Sequence, residues 1–324
     1  MPKIPMPPIA PVSYREAMDH CRRIERERGI ALLIPGDLHL WGVEGGNRSD
    51  FFAHILETLE YDKVVLLGDM FDGMKYEQET HADRRVLELL AQLDRDDRIH
   101  IVRGNHDRAI LNDPQTIHER ARSEHVRAET GEPMDLSWLT RSRMYRDVVY
   151  VAVDGGAYRG PAHHEGSAHA HRWPSHVGSN DVLVLRVADK HILFEHGDAH
   201  DKWARRAHKS SVIEYVGKCG FDLLVRLERN HSGLGDMTGS LKQKVSRWRG
   251  VCRDVAQGAY VRGHELDFDI HANVCGHTHY PGQVLLGEVT HVNVGSFRGY
   301  RPSFALVTRD GELLPPIVVR YGRE

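Results

Sequence analysis

The chain has 324 residues, enough for one large α/β core, and its 43 Lys or Arg against 46 Asp or Glu leave a formal charge of −3, which excludes an overall electrostatic case for nucleic acid or an anionic membrane. Four scattered cysteines, Cys21, Cys219, Cys252 and Cys275, form no C-x-x-C pair, so neither a zinc knuckle nor a disulfide framework is written here, and a reducing cytoplasm is the expected compartment. Histidine is the anomaly, with 23 residues, of which only a few can be ligands.

The chain opens on "MPKIPMPPIAPVS", rich in proline and without the apolar run of a secretory signal, followed by a helical stretch, "YREAMDHCRRIERERG". Residues 1–30 are therefore read as an N-terminal extension and helix. "ALLIPGDLH" then reads as a buried strand that ends in a polar turn carrying Asp37 and His39. "SDFFAHILETLE" is a helix with Ser49 as its expected N-cap, "KVVLLGDMFD" a second strand ending at Asp69 and Asp72, and "ADRRVLELLAQLD" a second helix. "RIHIVRGNHD" is a third strand, followed by Asn105, His106 and Asp107. This alternation predicts a mainly parallel sheet, with the polar turns gathered at its carboxyl edge, where ligands bind in such sheets.

Further along, "PAHHEGSAHAHRWPSHVG" holds His163, His164, His169, His171 and His176 among small residues and reads as a solvated loop, with a regulatory metal site as the alternative. "DVLVLRVADKHILF" is broken by charges and too short to cross a bilayer, so no transmembrane segment is expected, and the chain reads as soluble or in peripheral membrane contact. "HILFEHGDAHD" and "ANVCGHTH" are strands that end at His196 and at the pair His277 and His279, with Cys275 read as a core position. "QVLLGEV", "THVNVGSF", "SFALVTRDG" and "ELLPPIVVR" predict an antiparallel run closing a second sheet. The expected fold is thus α/β (α+β): a two-sheet β-sandwich flanked by helices, in one domain spanning 31–324.

Within that domain, an insertion at about 202–270 stands apart. From Lys202 to Arg253 it carries 12 Lys or Arg against 4 Asp or Glu, a local +8. Leu241, Val245, Trp248, Cys252, Val255 and Ala259 recur at helical spacing and mark one packed face. The opposite face, with Lys244 and Arg247, is either an ordinary solvated surface or a lid that holds an anionic substrate.

Two imidazoles one residue apart at a strand end invite a metal reading, provided other turns supply the remaining ligands. In order, these turns read D-L-H, G-D-M-F-D, G-N-H-D, a lone H and G-H-T-H. Each piece is weak alone, but five in order at strand ends are not. The set resembles the calcineurin-like metallophosphoesterases. That resemblance implies the family's four-layer fold and two divalent metal ions. One ion would be held by Asp37, His39, Asp69 and His279, and the other by Asp69, Asn105, His196 and His277, with Asp69 as the bridge. It further implies that His106, oriented by Asp107, acts on the phosphoryl or leaving-group oxygen, and that Asp72 orients neighbours. Mn²⁺ is the expected metal, and Fe, Zn, Co or Ni suit the same mixed N and O ligands.

Two divalent ions about 3.5–4 Å apart, against two carboxylates, leave a positive site that attracts phosphate and acidifies a bridging water into a hydroxide nucleophile. The implied activity is hydrolysis of a phosphodiester or pyrophosphate bond. "DLHLWG", "HGDAHD" and "HVNVGSFRGYRPSFALV" resemble bacterial UDP-2,3-diacylglucosamine pyrophosphatases, which points to a small nucleotide-linked substrate or lipid precursor. A nuclease using the basic insertion and a non-catalytic scaffold are the alternatives; the oligomeric state is left open.

Overall fold

Strand side chains alternate between two faces and helix side chains repeat every 3.6 residues, which sorts them into layers. The computed structural model describes residues 9–41, 48–71, 79–107, 134–141, 149–152, 182–201, 251–265, 269–297 and 301–320. Strand β1 (Val12–Ser13) leads directly into helix α1 (Tyr14–Arg28). A capping box sets the helix start: the Glu16 N–H donates to Ser13 Oγ, and the Ser13 N–H donates to the Glu16 carboxylate. Ala17, Met18, Cys21 and Ile24 are buried along one face of α1, in the same cluster as the helices that follow.

Next come β2 (Ile30–Pro35), α2 (Ser49–Thr58), β3 (Lys63–Leu66), α3 (His81–Arg95) and β4 (Ile99–Ile101). They form the expected strand–helix alternation, and β2, β3 and β4 run parallel. Ser49 is not the N-cap of α2. That position falls to Arg48, and Ser49 is the first helical residue, its hydroxyl donating to Asp83 of α3. Asp83 also completes the capping box of α3 with Thr80, so one buried carboxylate fixes two helix starts.

The remaining strands are β5 (Val149–Ala152), β6 (Val182–Val187), β7 (Lys190–Glu195), β8 (Ile270–Cys275), β9 (Gly282–Leu286), β10 (Val289–Asn293), β11 (Ser303–Thr308) and β12 (Ile317–Arg320), with helix α4 (Val251–Glu265) before β8. Two six-stranded mixed sheets result, in the orders β1-β12-β11-β2-β3-β4 and β5-β6-β7-β8-β10-β9. The C-terminal run therefore does not stay together. β9 and β10 join the second sheet, whereas β11 pairs antiparallel with β2 and β12 pairs with β11 in the first.

Burial on both faces explains that placement. Phe304 and Leu306 of β11 enter the helical layer, while Ala305 and Val307 enter the layer between the sheets, so β11 belongs in the interior of a sheet. Val64 and Leu66 of β3 likewise face the helices, and Val65 faces Leu185, Phe194 and Val274 of the second sheet. On the far side of the second sheet, Val255 and Ala259 of α4 pack with Cys275. The layers run helices, sheet, sheet, helix. No helix among the described residues is long and apolar enough to cross a membrane.

Candidate metal centre

Five strand ends deliver the polar turns to one place, and the backbone is bent to do it. His39, Asp69, His277 and His279 all have positive φ, between 47° and 66°. A left-handed conformation costs a non-glycine residue about 1–2 kcal/mol, and such strain persists where the surrounding fold over-determines it. Here the fold ties the turns together. Asp37, after β2, bridges to Ser296, after β10, and its carbonyl accepts the Phe297 N–H. The His39 N–H donates to the Asp69 carbonyl, and the Gly276 N–H to that of His196.

Two glycines leave room for the carboxylates. A Cβ on Gly276 would lie 2.2 Å from Asp37 Oδ1, and one on Gly104 would lie 2.2 Å from the Asp69 nitrogen and 2.3 Å from Asp69 Oδ1. The glycine that opens G-N-H-D and the one that opens G-H-T-H are therefore steric requirements of the site.

Ligand atoms of Asp37, His39, Asp69 and His279 all lie within 4.8 Å of one another, in a group able to hold a metal ion. His39 Nε2 and His279 Nε2 are 3.0 Å apart, and His279 Nε2 is 3.2 Å from Asp37 Oδ2. Beside this group, His196 Nε2 lies 3.0 Å from Asn105 Oδ1 and 3.3 Å from Asp69 Oδ2. The other ring nitrogen of His196, Nδ1, donates to the Leu67 carbonyl at 2.8 Å. That carbonyl can only accept, so Nε2 of the neutral ring is a lone pair facing two acceptors. A cation or an extra proton resolves the clash, and neutral imidazole with carboxylate and amide oxygens is a donor set that suits a divalent transition metal.

Electrostatics agree. Burial pushes the Asp69 carboxyl up, but His196, His106 and His39 outweigh it and hold Asp69 well below the usual carboxylate range. Burial likewise disfavours the charged His196 ring, yet Asp69, with Asp37 and Asp198 behind it, raises this imidazole well above its ordinary value. The site is built to carry positive charge next to Asp69.

A family model described as calcineurin-like phosphoesterase matches residues 30–281. The chain belongs to that family. Solved structures similar to it include a Vps29 variant from Entamoeba histolytica (13% identity, 90% of this chain and 99% of that chain covered, TM-score 0.35). A conserved Streptococcus pneumoniae protein described as a predicted phosphoesterase is 14% identical, with 91% and 98% of the two chains covered and a TM-score of 0.29. A hypothetical protein from Pyrococcus horikoshii is 12% identical, with 90% and 89% covered and a TM-score of 0.36. No curated protein matches the chain. The assignment rests on the family match.

Three further expected site residues are tied in through backbone N–H groups. Asp107 is fully buried, and its carboxylate accepts the Phe71 N–H at 3.1 Å and the Gly104 N–H at 2.9 Å. These two contacts tie together the loop that leads to His106 and the loop that follows Asp69. Burial first, and then the charge of Asp69, push Asp107 up to about 6. His106 gives its backbone N–H to Asp69 Oδ1 at 2.9 Å, and its Nε2 is 3.8 Å from Asp69 Oδ2 at the rim. His277 donates its backbone N–H to Asp37, while its Nε2 meets Asp201 Oδ2 at 3.0 Å. Asp201 escaped the sequence reading because nothing but its place five residues after His196 marks it.

Asp198 and His200, next to His196 in sequence, lie in a short 3-10 turn, and His200 Nε2 is 2.8 Å from Glu195 Oε1. Asp72, His163, His164, His169, His171 and His176, as well as Lys244 and Arg247, lie outside the described residues.

Proposed function

We propose that the chain is a dinuclear-metal phosphoesterase that hydrolyses a small phosphodiester or pyrophosphate, on a nucleotide-linked molecule or a lipid precursor. The observation that carries this reading is the sharing of Asp69 between two donor groups. Asp37, His39 and His279 lie on one side, and Asn105 and His196 on the other, all within the span matched by the family. A carboxylate's two oxygens can serve two ions. Asp37, His39, Asp69 and His279 would hold one ion, and Asp69, Asn105, His196 and His277 the other. Mn²⁺ is the first choice, with Fe, Zn, Co or Ni chemically suited. Bound ions would supply positive charge against the phosphoryl oxygens and acidify a water to attack phosphorus.

The chain's own groups divide the rest of the work. From their buried positions Asp37 and Asp69 would neutralise part of the charge of bound ions and leave a net attraction for phosphate. His106, with 15% of its side chain exposed at the rim, would donate a proton to the leaving-group oxygen. Asp107 would hold the His106 loop against the Asp69 loop through its two backbone acceptor contacts. The resemblance of several motifs to those of UDP-2,3-diacylglucosamine pyrophosphatases favours a diphosphate conjugate, and the buried Cys21 and Cys275, neither of them in a disulfide, suit a cytoplasmic setting.

The test is hydrolysis by Mn²⁺-loaded and chelated protein of bis-p-nitrophenyl phosphate, followed by nucleotide diphosphate conjugates, cyclic nucleotides, single-stranded DNA and phosphomonoesters. Metal-dependent turnover, fastest on diphosphate conjugates, is expected. Turnover of DNA with a steep salt dependence would replace this reading with a nuclease, in which the +8 of the insertion holds the backbone. Two bound ions without hydrolysis of any substrate would make the chain a scaffold.

A further inference from the structure

We propose that Asp201 is a positioning residue that fixes which nitrogen His277 offers to metal. It keeps the proton on Nε2, so that His277 presents Nδ1 where His196 presents Nε2. This rests on the two-ion reading above and adds to it a residue outside the ligand set.

Hydrogen-bond polarity carries the argument. A carboxylate that faces a neutral imidazole can only accept, so the 3.0 Å contact between Asp201 Oδ2 and His277 Nε2 places the proton on Nε2. The lone pair is then on Nδ1. For His196 the polarity is reversed, because the Leu67 carbonyl takes the Nδ1–H at 2.8 Å and leaves Nε2 toward Asn105 and Asp69. The two rings lie against each other, with centroids 5.1 Å apart and planes at 73°. Two neighbouring histidines are thus set as opposite tautomers by one backbone carbonyl and one carboxylate. An outer hydrogen bond that orients a ligating histidine and fixes its tautomer is a general feature of metal sites.

Asp201 is itself held in place. It closes the 3-10 turn that follows His196, its N–H donating to the Asp198 carbonyl at 3.1 Å. The turn is braced from below by His200, whose Nε2 lies 2.8 Å from Glu195 Oε1. Helix α4 covers it: a Cβ on Gly258 would lie 2.1 Å from His200 Nδ1, and one on Gly197 would lie 2.9 Å from Val255 Cγ1. His277 is pinned at the other end by its backbone N–H to Asp37. The carboxylate and the ring therefore approach each other from two fixed frames, the turn under α4 and the G-H-T-H loop.

The experiment is ¹⁵N-histidine NMR of the full chain loaded with ¹¹³Cd, in which one-bond coupling identifies the ligating nitrogen, together with cadmium titration of the wild type, Asp201→Ala and Asp201→Asn. Coupling is expected at His277 Nδ1 and His196 Nε2. Asp201→Ala should weaken one of the two equivalents about 10–100-fold and leave the other unchanged. Asp201→Asn should restore most of that loss, because its amide oxygen still accepts the Nε2–H. Coupling at His277 Nε2, or two equivalents of wild-type affinity in Asp201→Ala with only a lower Tm, overturns the role of Asp201. A wild type that binds a single equivalent, with no coupling at His277, overturns the two-ion reading and this inference with it. The nitrogen assignment is made on the wild type, so it stands even if the alanine variant fails to fold.

Discussion

Replacing Gly104 with alanine tests whether the site is as tightly built as its glycines indicate. The added Cβ would lie 2.2 Å from the Asp69 nitrogen, 2.3 Å from Asp69 Oδ1 and 2.9 Å from the Gly68 carbonyl carbon. Two of these three atoms are backbone, so no side-chain rotation relieves the clash. To reach an ordinary contact near 3.4 Å, the loop bearing Asn105 and His106 must retreat from Asp69 by about 1.2 Å. Overpacking of this kind costs about 1–3 kcal/mol of stability, and a displacement of about 1 Å in a catalytic constellation costs on the order of 10²-fold in rate. Gly104→Ala should therefore remain folded with a Tm lower by several degrees, lose metal at the position proposed for Asn105, and fall about 10²-fold in Mn²⁺-dependent hydrolysis of bis-p-nitrophenyl phosphate. Gly263→Ala is the control. Its Cβ meets nothing closer than Ile270 at 3.5 Å, within helix α4, and alanine there favours the helix by up to about 1 kcal/mol. Elemental analysis and kinetics on both variants decide the matter. A Gly104→Ala protein with wild-type metal content and kcat would refute the reasoning.

Other outcomes follow from the same geometry. Asp69→Asn should lower metal content at both positions if the carboxylate is the proposed bridge, and full occupancy by elemental analysis would remove it from that role. His106→Ala should keep its metal while kcat falls about 10²–10⁴-fold; loss of metal instead would make His106 a ligand. Acid should destabilise the fold through histidines remote from phosphorus. Burial, with Lys63 adding to it, pulls His100 down from 6.5 to about 3, and burial pulls His291 down from 6.5 to about 4. Their unfolded forms bind protons first, so the stability gained by keeping them neutral is complete above about pH 6.5 and is lost as pH falls toward those values, at roughly 1.4 kcal/mol per pH unit for each group. Urea denaturation of wild type and His100→Gln at pH 7 and pH 5 checks this, and equal slopes in the two proteins would contradict the assignment.

Much of this protein was legible before folding because its chemistry is written at strand ends. An apolar run must finish in a polar turn, so Asp37, His39, Asp69 and His279, which the fold gathers into one group able to hold a metal ion, already stood out by position and residue type, as did Asn105, His196 and His277, whose part as ligands is proposed. Strand, helix, strand, helix, strand was likewise readable for β2 to β4, since local periodicity dictates it. What pairs with what was not local. The four C-terminal strands look alike in sequence, yet burial of β11 on both faces sends it beside β2, while β9 and β10 complete the other sheet. The same limit applies within the site. Nothing near Asp107 announces that its carboxylate would be taken by the Phe71 and Gly104 N–H groups. Nothing near Asp201 announces a partner 76 positions away. Residue type and spacing determined which groups can bind metal, because ligand chemistry is a property of the side chain. Only the tertiary structure decided which nitrogen, which oxygen and which buried carboxylate face one another, because those are set by the contact of strands and turns far apart in the chain.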